Sequence, residues 1–182
     1  MIYGEKVFAL KDGRMAVFRS PTEDDADELS AMVRTRVMET NYFVRRPEEC
    51  ESSEQEVAVI RFINGSARSM MIVCEIEGKI AGNGELRREP FEKTAHRANI
   101  SVGLLRPYWG LGLGTMLLRE MIGKAKEIGV RQLELHVIEG NERAMGLYRK
   151  TGFVTVGEHP NFVRLEDGTL LREYLMALSL ET

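Results

Sequence analysis

The run Ile100-Ser-Val-Gly-Leu-Leu-Arg-Pro-Tyr-Trp-Gly-Leu-Gly-Leu-Gly-Thr-Met-Leu-Leu118 restricts this chain more than any other stretch. Its apolar strand pattern breaks at Pro107, passes through Gly110, Gly112 and Gly114, and restarts with helical spacing at Leu113, Met116 and Leu117. A strand that enters a helix through glycines leaves the first helical N–H groups without acceptors, at the positive end of the helix dipole. Without Cβ atoms in the way, an anion's oxygens can approach the backbone. The run therefore suits a phosphorylated ligand; the bland reading is a glycine turn that serves helix entry alone.

Spacing narrows the ligand. The glycines fall at every second position and not as Gly-x-Gly-x-x-Gly, and the chain holds no Gly-x-x-x-x-Gly-Lys-Ser/Thr run. A dinucleotide loop normally follows the first strand of its βαβ unit, whereas about a hundred residues precede this one.

The rest of the chain supplies the setting. Val7–Leu10 and Met15–Arg19 flank Asp12-Gly13, the pattern of a tight hairpin. Behind Thr22 or a nearby Asp as cap, Ala26, Leu29, Met32, Val33 and Val37 recur at helical spacing. A second helix is predicted from about Ser52 to Asn64, with Val57, Ile60 and Ile63 inward and Gly65 at its end. The acidic residues Asp24, Asp25, Asp27, Glu28 and those from Glu48 to Glu56 read either as a solvated face or as a lure for cationic substrates.

Met70–Ile76 and Lys79–Arg88 form a hairpin about Glu77-Gly78, and Arg97–Leu105 leads into the glycine loop. The helix beyond turns Leu113, Met116, Leu117, Met121, Ala125 and Ile128 inward and stops at Gly129. Leu133–Ile138 is a short strand, and Asn141 caps a helix that reaches Thr151. Phe153–Leu165 and Leu170–Leu180 make a long closing hairpin. Strand, helix and strand from Ile100 to Ile138 predict a parallel pair and the hairpins antiparallel ones, so the fold class is mixed α/β with a mixed sheet.

Composition excludes several functions. With 182 residues, 43% hydrophobic and 29% charged, the chain reads as one globular domain, 1–182, in which 1–14 hold the N-terminal hairpin strand and 15–180 the core. A net charge of −3 and a pI near 5.8 argue against an electrostatic nucleic-acid binder. No segment approaches a membrane span, and no signal peptide is evident, so a reducing cytoplasm is the expected compartment. The two cysteines, Cys50 and Cys74, and the three histidines lack metal-ligand spacing, and no Gly-x-Ser-x-Gly elbow occurs.

The glycine loop, together with His136-Val-Ile-Glu-Gly-Asn141 and Leu147-Tyr-Arg-Lys-Thr-Gly-Phe153, resembles the GNAT superfamily of acyl-CoA-dependent N-acetyltransferases over roughly Met15 to Leu180. The loop signature, Arg/Gln-x-x-Gly-x-Gly/Ala, falls on Trp109 to Gly114; it is met at Gly112 and Gly114 and departs at Trp109. The resemblance implies a mainly antiparallel central sheet of about seven strands, with two central strands splayed around the co-substrate acetyl-CoA. By the same resemblance, Val102, Gly103 and Leu104 would pair with the pantetheine amides. The pyrophosphate would lie on Gly110, Leu111, Gly112, Leu113, Gly114 and Thr115, with Trp109 packed on the loop or on the CoA adenine, and the thiol arm beside Asn141 and Ala144. Tyr148 would protonate the departing thiolate, and Glu85 would accept the amine's proton.

Physical readings stand beside these. Asn141 and Tyr148 are seven residues apart and share a helix face, yet Asn141 reads equally as a plain N-cap and Tyr148 as a core aromatic. Thioester aminolysis needs a base, for which His96 and His136 compete with Glu85. The acceptor pocket is expected around Met32, Tyr42, Phe43, Phe162 and Tyr174. The acceptor would be a small-molecule or protein amine, with neither nucleic acid, membrane nor metal as partner and with a homodimer left open. Two classes remain: an acetyltransferase, and a non-catalytic module that binds acyl-CoA.

Overall fold

The structure is a computed structural model that describes residues 1–181; residue 182, the last of the expected domain, lies outside the described residues. β1 (Lys6–Ala9) and β2 (Met15–Arg19) form the N-terminal hairpin, in which Gly13 takes a φ of +87° and the Asp12 carboxylate accepts from the Arg14 N–H at 3.1 Å. A short 3-10 turn leads into α1 (Ala26–Glu39), and α2 (Ser53–Gly65) begins at a capping box between Ser52 and Gln55.

β3 (Ser69–Ile76) and β4 (Lys79–Arg88) follow as a hairpin whose two turn residues, Glu77 and Gly78, both have positive φ, as a tight turn matched to strand twist requires. Next come β5 (Arg97–Leu104), α3 (Leu113–Glu127), β6 (Gln132–Ile138) and α4 (Glu142–Lys150). The chain closes with β7 (Val154–Arg164) and β8 (Leu170–Ser179).

The strands lie in one sheet, in the order β1-β2-β3-β4-β5-β6-β8-β7. Its eight strands exceed the expected seven because β1 precedes Met15, where the sequence resemblance begins. Every neighbouring pair is antiparallel except β5 and β6. This matches the mixed sheet read from the sequence.

Side chains alternate across β3, a run buried on both faces. Met70, Ile72, Cys74 and Ile76 join the core beneath α3, whereas Met71 and Val73 join the core beneath α1 and α2. On the first face α3 contributes Leu113, Leu117, Leu118, Met121 and Ala125, all essentially inaccessible. Met116 and Ile128, expected on the same stripe, are half-buried, as are Val33 and Val37 of α1. On the second face Ala26, Leu29, Met32, Ile60 and Ile63 cover the sheet. Burial of each large side chain is worth about 1.5–3 kcal/mol, so these two layers fix the sheet between them.

The sheet is open at one place. β5 pairs with β6 only through Arg97↔Gln132, Ala98↔Leu133 and Asn99↔Glu134, while β4 follows β5 as far as Leu104 and β8 follows β6 as far as Ile138. At the point of parting, Arg97 Nε donates to Glu134 Oε1 at 2.6 Å, and Glu134 is only 7% exposed. Beyond it, the facing edges of β5 and β6 have no strand to pair with among the described residues.

Candidate active site

The glycine loop lies at the open end of the gap. Gly110 and Gly112 have φ of +85° and +90°, a region that residues with side chains rarely enter, and Gly112 is the N-cap of α3. The turn therefore presents backbone and the helix N-terminus, with no side chain in between, to a cavity of about 360 Å³. Val102, Gly103 and Leu104 form one wall of this cavity, and Asn141, Ala144 and Tyr148 line it from α4 and its cap. Trp109, Gly110, Gly112, Leu113, Gly114 and Thr115 complete it. The Leu111 side chain packs half-buried against the main core.

Cations gather here that the sequence reading missed. Lys11, Arg143 and Lys150 line the cavity, as does Arg36 of α1. Trp109, standing where the signature has Arg or Gln, donates from Nε1 to the Leu104 carbonyl at 2.9 Å and carries the Arg143 guanidinium 4.7 Å from its ring. The signal was present in the Glu-Arg-Ala-Met-Gly-Leu-Tyr-Arg-Lys sequence of α4, whose basic residues follow a helical period.

Asn141 caps α4, its Oδ1 accepting from the Ala144 N–H at 3.2 Å. The capping interaction uses only the carbonyl half of the amide, so capping and a place on the cavity wall coexist. Tyr148 is 6% exposed and packs edge-on against Phe153 at 5.9 Å. Burial pushes its phenol up to about 12, with the Arg36 cation pulling the other way, so the hydroxyl keeps its proton at neutral pH.

A second cavity of the same size shares Tyr42, Phe43, Val102, Asn141, Ala144 and Tyr148 with the first. Its other walls carry Glu85, Arg87, Asn99, Ser101, His136 and Glu173. Glu85 is half-buried and accepts from Arg87 Nη2 at 2.6 Å and Nε at 2.9 Å. His136 Nδ1 and His159 Nδ1 each stand 3.0 Å from Glu173 Oε2, a carboxylate almost fully buried between them.

His96, the other candidate base, lines neither cavity; it sits exposed at the far end of β5. Of the expected acceptor residues, Tyr42 and Phe43 line both cavities, and Tyr42 donates its hydroxyl to the Gly140 carbonyl at 2.9 Å. Met32 lies in the core beneath α1, Phe162 is exposed and stacked on His159, and Tyr174 packs against the main core. None of these three lines either cavity. Among the described residues no group of three or more His, Cys, Asp or Glu could hold a metal ion, and no helix is long and apolar enough to cross a membrane.

A mixed sheet parted between a parallel strand pair, with a glycine-capped helix at the mouth of the gap, defines the acetyltransferase fold of the GNAT type. Residues 35–153 match the model of the Acetyltransferase (GNAT) family, and the chain belongs to that family. A GNAT-family acetyltransferase from Streptococcus pneumoniae superposes with a TM-score of 0.85 at 28% identity, covering 91% of this chain and 99% of that one. A GNAT superfamily phosphinothricin acetyltransferase from Sinorhizobium meliloti, solved in complex with acetyl-CoA, shares the fold with a TM-score of 0.80 at 20% identity, over 91% of this chain and 88% of its own.

The N-alpha-acetyltransferase RimI of Mycobacterium tuberculosis is 37% identical over 79 residues, 43% of this chain and 46% of that protein. The chain spans only 33 to 46% of the lengths of the curated relatives it matches.

Proposed function

We propose that this chain moves the acetyl group of acetyl-CoA to a primary amine by direct attack within a ternary complex, with the whole sheet acting as one transferase unit. The observation that supports this most is the meeting of the two cavities at Tyr148, one leading to the glycine loop and the other walled by Glu85 and further polar groups. Acetyl-CoA, when bound, supplies a thioester carbonyl open to an amine.

The residues present fit that co-substrate. The parted edge of β5 at Val102 to Leu104 offers backbone groups to pantetheine amides in place of a strand, and to the charge that develops on the thioester oxygen. The N-terminus of α3, bare at Gly110 and Gly112, holds the pyrophosphate, while Lys11, Arg143 and Lys150 balance its charge. Amines are mostly protonated at neutral pH, so Glu85, through a water, takes the ammonium proton to free the lone pair, and the second proton, released as the C–N bond forms, passes to solvent. As the C–S bond breaks, Tyr148 gives its phenolic proton to the sulfur and recovers one from solvent.

The test is release of free thiol from acetyl-CoA against a panel of amines. Amine-dependent release, with an acetamide product found by mass spectrometry, is the expected result. Tight acetyl-CoA binding with no release for any amine would favour the non-catalytic binding module instead.

A further inference from the structure

Arg36 is a half-buried cation without an anion within ion-pair distance among the described residues. Its Nη1 donates to the Oδ1 of Asn83 at 2.6 Å, the one hydrogen bond that the guanidinium makes among the described residues, and no carboxylate lies within ion-pair distance. Its Nε is fully enclosed and has no partner. The group lines the first cavity, with the Phe43 ring centroid 4.9 Å from Cζ. It also fills the space over Gly103, where a Cβ would overlap Nη1, Cζ and Nε. Burial depresses the pKa of the guanidinium, as the loss of water around a charge must.

The surrounding carboxylates are otherwise engaged. Glu85 is held by Arg87, and Glu51 pairs with Arg45. Burial pushes the Glu56 carboxyl up to about 7, so it is only partly charged at neutral pH. Leaving a charge buried and unpaired costs several kcal/mol, and folded proteins retain such groups where a ligand completes them.

We infer that Arg36 is the anion subsite of the acceptor, and that the amine acetylated here belongs to an amino acid whose carboxylate docks on the Nη2 end of the guanidinium. With Nη1 tied to Asn83 and Nε enclosed, Nη2 is the donor group left over, and its charged N–H groups suit a carboxylate oxygen. Arg36 lines the first cavity with Phe43 and Tyr148, both of which also line the second, so the subsite borders the place where the two cavities join. Gly103 makes the subsite possible, because any side chain there would displace the guanidinium. The inference rests on the transferase reading.

The experiment compares kcat/KM for free amino acids, the same amino acids as carboxamides, and the corresponding decarboxylated amines, in wild type, Arg36→Lys and Arg36→Met, with the acetyl-CoA Kd measured by calorimetry. Wild type should prefer the free acid over its amide by about ten- to a hundredfold, the worth of a charged hydrogen-bonded pair. Arg36→Met should collapse that ratio towards one, chiefly through KM of the acid, and Arg36→Lys should keep part of it.

Equal use of acid and amide by wild type would overturn the subsite while leaving the transferase reading intact. A loss of acetyl-CoA affinity in both variants with the ratio unchanged would assign Arg36 to the donor and also overturn it. If no amine released thiol, the transferase reading itself would fall; calorimetric titration of amino acid against amide on the acetyl-CoA-loaded protein would then decide the subsite alone.

Discussion

The indole Nε1 of Trp109 donates to the carbonyl of Leu104 at 2.9 Å, tying the first residue of the glycine signature to the last residue of β5. Where the signature carries Arg or Gln, this chain thus uses its side chain to brace the loop against the strand, and Arg143 and Arg106 bring their guanidinium groups to within 4.7 and 5.6 Å of the ring.

Trp109→Arg should consequently leave acetyl-CoA affinity within a few-fold at physiological salt, since cations already stand beside this position. Calorimetry in a salt series measures it. A hundredfold gain would mean that a charge on residue 109 itself matters more than the bracing.

Gly112→Val should weaken acetyl-CoA binding by well over tenfold. The substitution places a β-branched residue at a φ of +90° and a side chain at the cradle's floor. Circular dichroism confirms folding, and calorimetry reads the affinity; an unchanged Kd in the folded variant would move the pyrophosphate elsewhere.

Tyr148→Phe keeps the ring against Phe153 and removes only the hydroxyl, so stability and acetyl-CoA affinity should hardly move. The turnover number should fall about a hundredfold where chemistry limits the rate. The fall should shrink with a donor whose leaving thiol has a low pKa, because such a thiolate departs without a proton. Equal impairment with good and poor leaving groups would point to misplaced substrate instead.

Glu56 predicts a stability profile. Burial, reinforced by Glu51 and Glu85, raises its carboxyl from an ordinary 4.5 to about 7, so the folded state binds this proton more tightly than the unfolded state does. Stability from this group is therefore lost as pH rises from about 4.5 to about 7. Glu56→Gln should stabilise the protein by on the order of 1–2 kcal/mol at pH 8 and by nothing at pH 4, as thermal melts would show. A variant destabilised at pH 8 would mean that the ionised carboxylate is a required partner.

Turns and glycine caps were the most legible parts of the sequence. Gly13, Glu77, Gly78, Gly110, Gly112 and Gly129 each sit at a positive φ that marks where an element begins or ends. The half-buried Arg36 and the buried Glu56 were not read, although both lie on core-facing rows: Arg36 is four residues after buried Met32, and Glu56 four before buried Ile60. A helical stripe read for apolar residues alone passes over a charge standing in line with them. The acceptor side suffered from β7, whose register against β8 shifts between Thr155 and Gly157 and again between His159 and Val163, so alternation cannot tell which way Phe162 points.

That β5 and β6 pair over only three registers has a thermodynamic consequence. An unpaired edge in the middle of a sheet is where solvent enters first, so backbone amides from Ser101 to Leu104 should exchange hydrogen faster in the free protein than their neighbours in β3. Acetyl-CoA, by standing in for the absent strand, should slow that exchange and raise the melting temperature with the logarithm of its concentration. The donor would then be a structural member of the folded sheet as well as a reactant, and each turnover would release and rebuild part of the protein's own stability.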